Sequence, residues 1–452
     1  MESSVAEPVL TPWRPVQFLG SKVRSLDFIS DALRSVQGAP GTVWDAFSGS
    51  SVVSQRLGAD RNQVWASDAL RSSAGFGAAL LGVRRRPGEV GDLVGLARKV
   101  VEEASRMDSS PWDAWLKRER SLVAADDGPG LLAIGSLLPQ RWRSSGTTPS
   151  LDRLFGAAED SARSRTGRSE GLLSTVYAGT YFGIEQSLAL DGLRGAIDAV
   201  APSSDPDMSW SRAALLTALC HAASAAVFSP GKHFAQPHRI RVDKDLSFHG
   251  RRAAQDRRVH IPSVVLHAAE KIDRIAANLA GGHRAERRRV GETAASLLRE
   301  RGVTAVYADP PYTAQQYSRF YHLLETLVSG VPPVLQLVNG EVTRGLYPAD
   351  RFLSPFSSRR GAPAAFQQLV GTTHSVGAHI LISYSASRGA TIGNARIVSL
   401  EQIVEWVRDA YGVAAVSVEE LQFRYRQFNN AGYMVEGRDD PEYLVIGRAR
   451  AR

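Results

Sequence analysis

The chain has one cysteine, Cys220, in 452 residues. A single thiol cannot close an intrachain disulfide or furnish a cysteine-based zinc site, and such sparing use suits a reducing cytoplasm. Long apolar runs are missing too. The longest, Ala213 to Phe228, is interrupted by Thr217, His221 and Ser224 and falls short of the ~20 residues a spanning helix needs. Met1 to Pro12 carries acids and lacks the basic-plus-apolar pattern of a secretory signal. The expectation is a soluble, cytoplasmic protein with no membrane partner. His233 and His238 have no cysteine or paired acid at ligand spacing, so no metal is expected.

What is present is ordinary globular usage, 43% hydrophobic and 22% charged, in a chain long enough for two or three domains. The net charge of +8, carried mostly by arginine, leans towards a polyanionic partner such as nucleic acid.

One stretch stands out. An apolar, β-branched run from Val303 to Tyr307 ends in Asp309-Pro310-Pro311-Tyr312, the grammar of a strand stopping at a functional edge. The prolines fix φ and remove two donors, so neither a helix nor a central strand continues. The stiff loop presents the Asp309 carboxylate, the Pro310 carbonyl and the Tyr312 ring together. Two acceptors and an aromatic face suit a planar amine such as adenine. A Pro-Pro turn with Asp309 bonded to local backbone is the competing reading.

The first ninety residues read as a nucleoside site. Gln17 to Lys22 opens a helical pattern (Leu26, Ile29, Leu33, Val36) that Gly38 to Gly41 ends. Gly20 and Ser21 at its start, with Lys22, make either a small anion site suited to a carboxylate or a plain helix cap. Thr42 to Asp45 reads as a strand, and Phe47, Ser48, Gly49 and Ser50 as a loop that lets a ligand approach the backbone. A helix follows through Val52, Val53 and Leu57. A second strand, Val64 to Ala66, leads to Asp68, placed to accept from ribose hydroxyls. The loop lacks the further glycines of a dinucleotide fingerprint, so NAD is not expected.

Taken in order, Phe18-Leu19-Gly20-Ser21-Lys22, Asp45-Ala46-Phe47-Ser48-Gly49-Ser50, Asp68, a long insertion and Asp309-Pro310-Pro311-Tyr312 resemble the Dam-like (D12 class) N6-adenine DNA methyltransferases. Ser50-Ser51 stands where that family commonly has a second glycine, and Ser67 where Asn is frequent. The resemblance implies an α/β fold: a Rossmann-like S-adenosylmethionine-dependent methyltransferase sheet with a closing antiparallel hairpin, plus a large, mostly helical target-recognition insertion. Residues 1–95 and 291–452 would be the two halves of the methyltransferase domain and 96–290 the insertion. The cofactor it implies is S-adenosyl-L-methionine, held by Phe18, Gly20, Ser21, Lys22, Asp45, Phe47, Ser48, Gly49, Asp68 and Asp309. Asp309, Pro310 and Tyr312 would be catalytic, with Pro311 beside the substrate and Tyr312 stacked on a flipped-out adenine. The implied role is site-specific adenine-N6 methylation of double-stranded DNA at the bacterial nucleoid, in restriction-modification or phage defence, with a restriction or defence protein as partner. An RNA adenine, a cytosine N4 or a non-catalytic DNA-binding subunit are the alternatives.

Between Asp68 and Asp309 lie about 240 residues, far more than one crossover needs. Helices are expected over Leu188 to Val200 and Ala213 to Val227. Tyr181, Lys232 and His233 also lie in segments resembling the family and mix aromatic with hydrogen-bonding groups; they either contact DNA or serve the core and turns. Arginines gather at 239–241, 251–252, 257–258 and 284–289, as phosphate contacts or as a solvated face; Arg251 and Arg252 are taken as DNA contacts. Downstream, Tyr317 begins a helical pattern and lies near the substrate or in the core. Val331 to Pro363 reads as a mobile loop, His379 to Tyr384 as a strand and Ile403 to Tyr411 as a helix. Val416 to Tyr425 and Glu442 to Ile446 read as closing strands.

Overall fold

Strands β1 (Thr42–Asp45) and β2 (Gln63–Asp68) are rich in valine and tryptophan and buried through their centres, as strands covered on both faces must be. They pair in parallel, Asp45 opposite Ala66, so their carboxyl ends lie side by side. With β3 (Arg284–Arg287), β4 (Val303–Ala308), β5 (His379–Ser385), β6 (Val416–Glu420) and β7 (Glu442–Gly447) they form a 7-stranded sheet ordered β3-β2-β1-β4-β5-β7-β6. β7 runs antiparallel to both neighbours, whereas the other pairings are parallel. The mixed α/β architecture, with its mostly parallel sheet, is consistent with a methyltransferase-like fold. The computed structural model describes residues 11–85, 92–143, 147–202, 209–238, 246–279, 281–386, 395–421, 425–426 and 439–450.

Alternation along the strands divides the core in two. Val43, Val64, Ala305, Leu381 and Leu444 face helices α1 (Leu26–Gln37) and α2 (Val52–Ala59). Their neighbours Trp44, Trp65, Val306, Ile380 and Val445 face the opposite layer, which holds helices Ala362–Ser375 and Leu400–Tyr411. Trp44 and Trp65 stack there with ring centroids 5.0 Å apart.

A third core gathers α3 (Arg71–Leu80) with helices Leu93–Ala104, Ile184–Val200, Trp210–Ala226, Ile261–Ala277 and Ser318–Ser329. Trp210 ties them by donating Nε1–H to the Ala79 carbonyl at 3.0 Å. Helices from between β2 and β3 therefore share one apolar interior with helices of the sheet itself.

Three expectations need revision. Arg284 to Arg287, read as part of a basic cluster in the insertion, is strand β3, pairing Ala66 with Ala285 and Asp68 with Arg287. As an edge strand it is only half-covered, so it lacks the apolar signature of its neighbours. Val331 to Pro363, read as a mobile loop, contains the hairpin Leu337–Val338/Glu341–Val342, and it buries Leu346, Tyr347 and Phe356. The strand read over Val416 to Tyr425 ends at Glu420; residues 422–424 lie outside the described ones. Among the described residues no helix is long and apolar enough to cross a membrane, and no group of three or more His, Cys, Asp or Glu is placed to hold a metal.

Candidate active site

The parallel register of β1, β2 and β4 brings three loops together at their carboxyl ends, where ligands of open α/β sheets bind. Asp68 holds two of them. Its Oδ2 accepts from the Gly49 amide at 3.0 Å and its Oδ1 from the Leu70 amide at 2.9 Å, leaving a lone pair on each oxygen for a further donor. Gly49 sits at φ +50° under the Phe18 ring, where an added Cβ would come within 2.8 Å of a ring carbon. Ser51, just before α2, is left-handed at φ +61°, the conformation that a glycine adopts most easily.

These loops wall a cavity of about 370 Å³, lined by Phe18, Gly20, Ser21 and Lys22 from the segment before α1, by Asp45, Phe47, Ser48 and Gly49 from the end of β1 and its loop, and by Asp68 from the end of β2. Asp309, Pro311 and Tyr317 line it from the segment after β4. Sequence reading missed two further walls. One is the loop after β3, Arg288 to Glu292; the other is Phe352 to Phe356, whose Phe356 ring meets Phe47 edge-on at 5.0 Å. The signal for the first was the βα-loop rule, hidden because the strand before it is charged.

Polar atoms in this region lack protein partners. Ser21 Oγ, Ser48 Oγ and Asp45 Oδ1 are buried without a hydrogen bond, while Asp45 Oδ2 accepts from Ser54 Oγ at 2.6 Å. Burial pushes the Asp45 carboxyl up to about 7 against the Ser54 bond, and Asp68 up to about 6 against its two amides. A free carboxylate oxygen beside free hydroxyls matches a zwitterionic amino-acid group, whose ammonium donates and whose carboxylate accepts.

The Asp309 loop is organised by Lys22. The Lys22 ammonium, 4% exposed, lies 2.8 Å from Asp309 Oδ2 and 2.7 Å from Glu442 Oε1, and donates to the Tyr312 hydroxyl at 2.8 Å. Burial opposes its charge, but the two carboxylates outweigh burial and hold its pKa above the ordinary lysine value. Burial raises Asp309; Lys22 opposes that shift and Glu442 adds to it. Lys22 therefore serves the Asp309 loop, although the sequence placed it at a cofactor carboxylate. Tyr312, expected to stack on a base, turns its ring into the core against Tyr384, 5.1 Å away, and donates its hydroxyl to Asp309 Oδ1 at 2.5 Å. Pro310 is buried beside it. The aromatic residues lining the cavity include Phe18, stacked 4.4 Å on Tyr321, and Tyr317, besides Phe47, Tyr307, Phe352 and Phe356.

Most of the residues read as DNA contacts have partners within the fold. Tyr181 is fully buried and donates to the Phe234 carbonyl at 2.7 Å, so it belongs to the core. Lys232 caps helix Trp210–Ala226 by donating to Ala225 and Val227 carbonyls at 3.0 and 2.9 Å, and pairs with Asp256 at 2.9 Å. His233 packs on Phe320 at 5.0 Å, and burial lowers its pKa to about 4. Arg252 pairs with Asp256 at 3.3 Å, whereas Arg251 is exposed. Arg258 and Arg288 also pair with local acids, Asp126 and Glu286; Arg239 and Arg241 lie outside the described residues. An amphipathic side chain fits a core carbonyl or a helix end as well as a base, and only the fold decides between them.

Sheet, loops and cavity thus define a mixed α/β protein with a cavity at its strand ends, lined by both apolar and polar side chains. No family model matches the chain. Over 149 residues, 33% of the chain and 21% of the relative, it is 30% identical to a protein named modification methylase LlaI from Lactococcus lactis subsp. lactis. Over 139 residues, 31% and 19% respectively, it is 25% identical to modification methylase StsI from Streptococcus sanguinis. The alignments thus span about a fifth of the length of these curated relatives.

Proposed function

We propose that this chain transfers a methyl group from S-adenosyl-L-methionine to adenine N6 in double-stranded DNA, as the modification activity of a restriction-modification or phage-defence system. The observation that carries this reading is the Asp309 carboxylate on the wall of the same cavity as the Gly49 loop and Asp68. The likeness to two modification methylases supports it. Residues 96 to about 283 would supply target recognition, which moves the end of the insertion in front of β3.

When bound, S-adenosylmethionine would supply an electrophilic methyl group on a sulfonium. Asp45, Ser21 and Ser48 would hold its amino-acid end with the polar atoms they leave unsatisfied, and Asp68 would accept from its ribose hydroxyls. The paired and stacked N6 of adenine cannot reach Asp309 inside a duplex, so the base must be flipped out. Asp309 and the Pro310 carbonyl would then accept the two N6–H bonds and aim the nitrogen lone pair along the transfer axis. Positioning dominates, with no covalent enzyme intermediate. Tyr312 would orient Asp309 through its hydroxyl, and Tyr317 would offer the stacking face.

The test is transfer of labelled methyl from S-adenosylmethionine to unmethylated genomic DNA, followed by nucleoside analysis. Label in N6-methyladenine is expected. Label in N4-methylcytosine changes the base and keeps the site; label in RNA alone, or none, removes DNA methylation as the function.

A further inference from the structure

The last strand brings a fourth group to Asp309. Glu442 opens β7 and is 6% exposed. Its Oε1 lies 2.7 Å from Lys22 Nζ and is within hydrogen-bond reach of the Tyr312 and Ser383 hydroxyls at 3.0 and 3.1 Å. Lys22 and Tyr312 are the same two donors that occupy the oxygens of Asp309, at 2.8 and 2.5 Å. The Tyr312 hydroxyl has one proton and two carboxylate acceptors, so it can satisfy only one at a time.

That geometry has a consequence for any amine at Asp309. To accept an N–H bond, Asp309 must loosen its hold on Tyr312 or Lys22, and a buried donor released without a partner is costly. Glu442 is the partner already in place. Two carboxylates around one ammonium also leave one net negative charge in a site shielded from water. Nitrogen that has received a methyl cation carries positive charge until it loses a proton, so such a charge opposite it favours the transition state.

We propose that Glu442 is a positioning residue for methyl transfer, accepting the hydrogen bonds of the Tyr312 hydroxyl and the Lys22 ammonium when Asp309 engages the amine and keeping the cluster anionic. The inference rests on the methyltransferase reading above. Asp309 is faced by Lys22 from the segment before α1, Tyr312 from its own loop, Asp45 from β1, Tyr307 from β4 and Glu442 from β7. Of these, Glu442 is the acid that shares both donors with it.

The experiment compares single-turnover methyl transfer to unmethylated DNA by the wild-type chain and by Glu442→Gln, which keeps the shape and removes the charge. The expected result is a rate lower by at least ~10-fold, with cofactor affinity within about twofold on a ~1.4 kcal/mol-per-decade scale. The acid limb of the rate–pH profile should move to lower pH, because the like charge that raises Asp309 has gone; a merely structural role would not move it. Glu442→Asp, which keeps the charge but retracts it, should lose rate with the acid limb in place, and it decides the matter should Glu442→Gln not fold. Wild-type rates and profiles in either folded variant overturn the inference alone. Absence of transfer by the wild-type chain removes the methyltransferase reading, and this inference with it.

Discussion

The Gly49 amide donates to the Asp68 carboxylate at 3.0 Å, fastening the loop after β1 to the end of β2. The acid read as a ribose acceptor is thus also the brace of the loop beside it. Under the proposed function, Asp68→Ala removes both roles and should weaken S-adenosylmethionine binding by about 2–3 kcal/mol, the scale of a charge-assisted hydrogen bond with its partner left exposed. Asp68→Asn, which can still accept from Gly49, should lose less. Calorimetric titration measures both; equal losses would show that the brace contributes nothing.

Ser51 pays a conformational cost that a glycine would avoid. At φ +61° a residue with a Cβ is disfavoured by roughly 1–2 kcal/mol, partly offset by the chain entropy glycine loses on folding. Ser51→Gly should raise stability by up to about 1 kcal/mol, read as a higher urea midpoint at unchanged slope. A lower midpoint would mean that the buried serine hydroxyl matters more than the backbone.

Asp309→Ala should lower methyl transfer by at least ~10²-fold, as loss of one preorganised polar contact does. Asp309→Asn should also fall sharply, since its amide can turn a donor towards the amine. Cofactor binding is expected to survive in both, because Asp45, Ser21, Ser48 and Asp68 remain. Near-wild-type turnover would falsify the assigned mechanism.

Asp45 gives the site a pH dependence of defined sign. Its folded-state pKa, raised by burial to about 7, lies above the unfolded value of ~3.9. Its contribution to stability is fully present below about pH 4 and is lost as pH rises through about 7. Cofactor affinity runs the other way, because a ligand ammonium needs the carboxylate ionised. Affinity should rise about tenfold from pH 6 to pH 8, and Asp45→Asn should flatten that slope. Titrations in buffers across this range provide the check.

Tyr181→Phe separates core from DNA contact. The change strips a buried hydroxyl from two carbonyls, Phe234 and Gly345, and should destabilise the fold by about 1–3 kcal/mol. DNA affinity in the folded variant should stay unchanged across salt concentrations. Weaker DNA binding by the folded variant at every salt concentration, with the salt slope unchanged because a neutral hydroxyl releases no counterion, would restore Tyr181 to the DNA surface.

The sequence by itself determined the strand ends. Val43, Val64 and Val306 alternate or cluster as buried strands must, and Gly49, Asp68 and Asp309 follow them at the loops where an open sheet binds ligands. Those signals are local: strand period, turn chemistry and proline geometry act within a few residues. Helix starts were legible nearly as well: helix Trp210–Ala226, capped by Ser209, begins three residues before its read start at Ala213. Only the tertiary structure decided what depends on partners far along the chain. Lys22 reads the same whether it meets a cofactor carboxylate or Glu442, which lies 420 positions away. Strand β3 is charged because it is an edge, and an edge cannot be told from a surface loop until β2 is beside it. Tyr181 and Lys232 could serve DNA or the fold equally well; burial, which no single residue encodes, assigned Tyr181 to the interior, and the helix-end carbonyls of Ala225 and Val227 with Asp256 claimed Lys232.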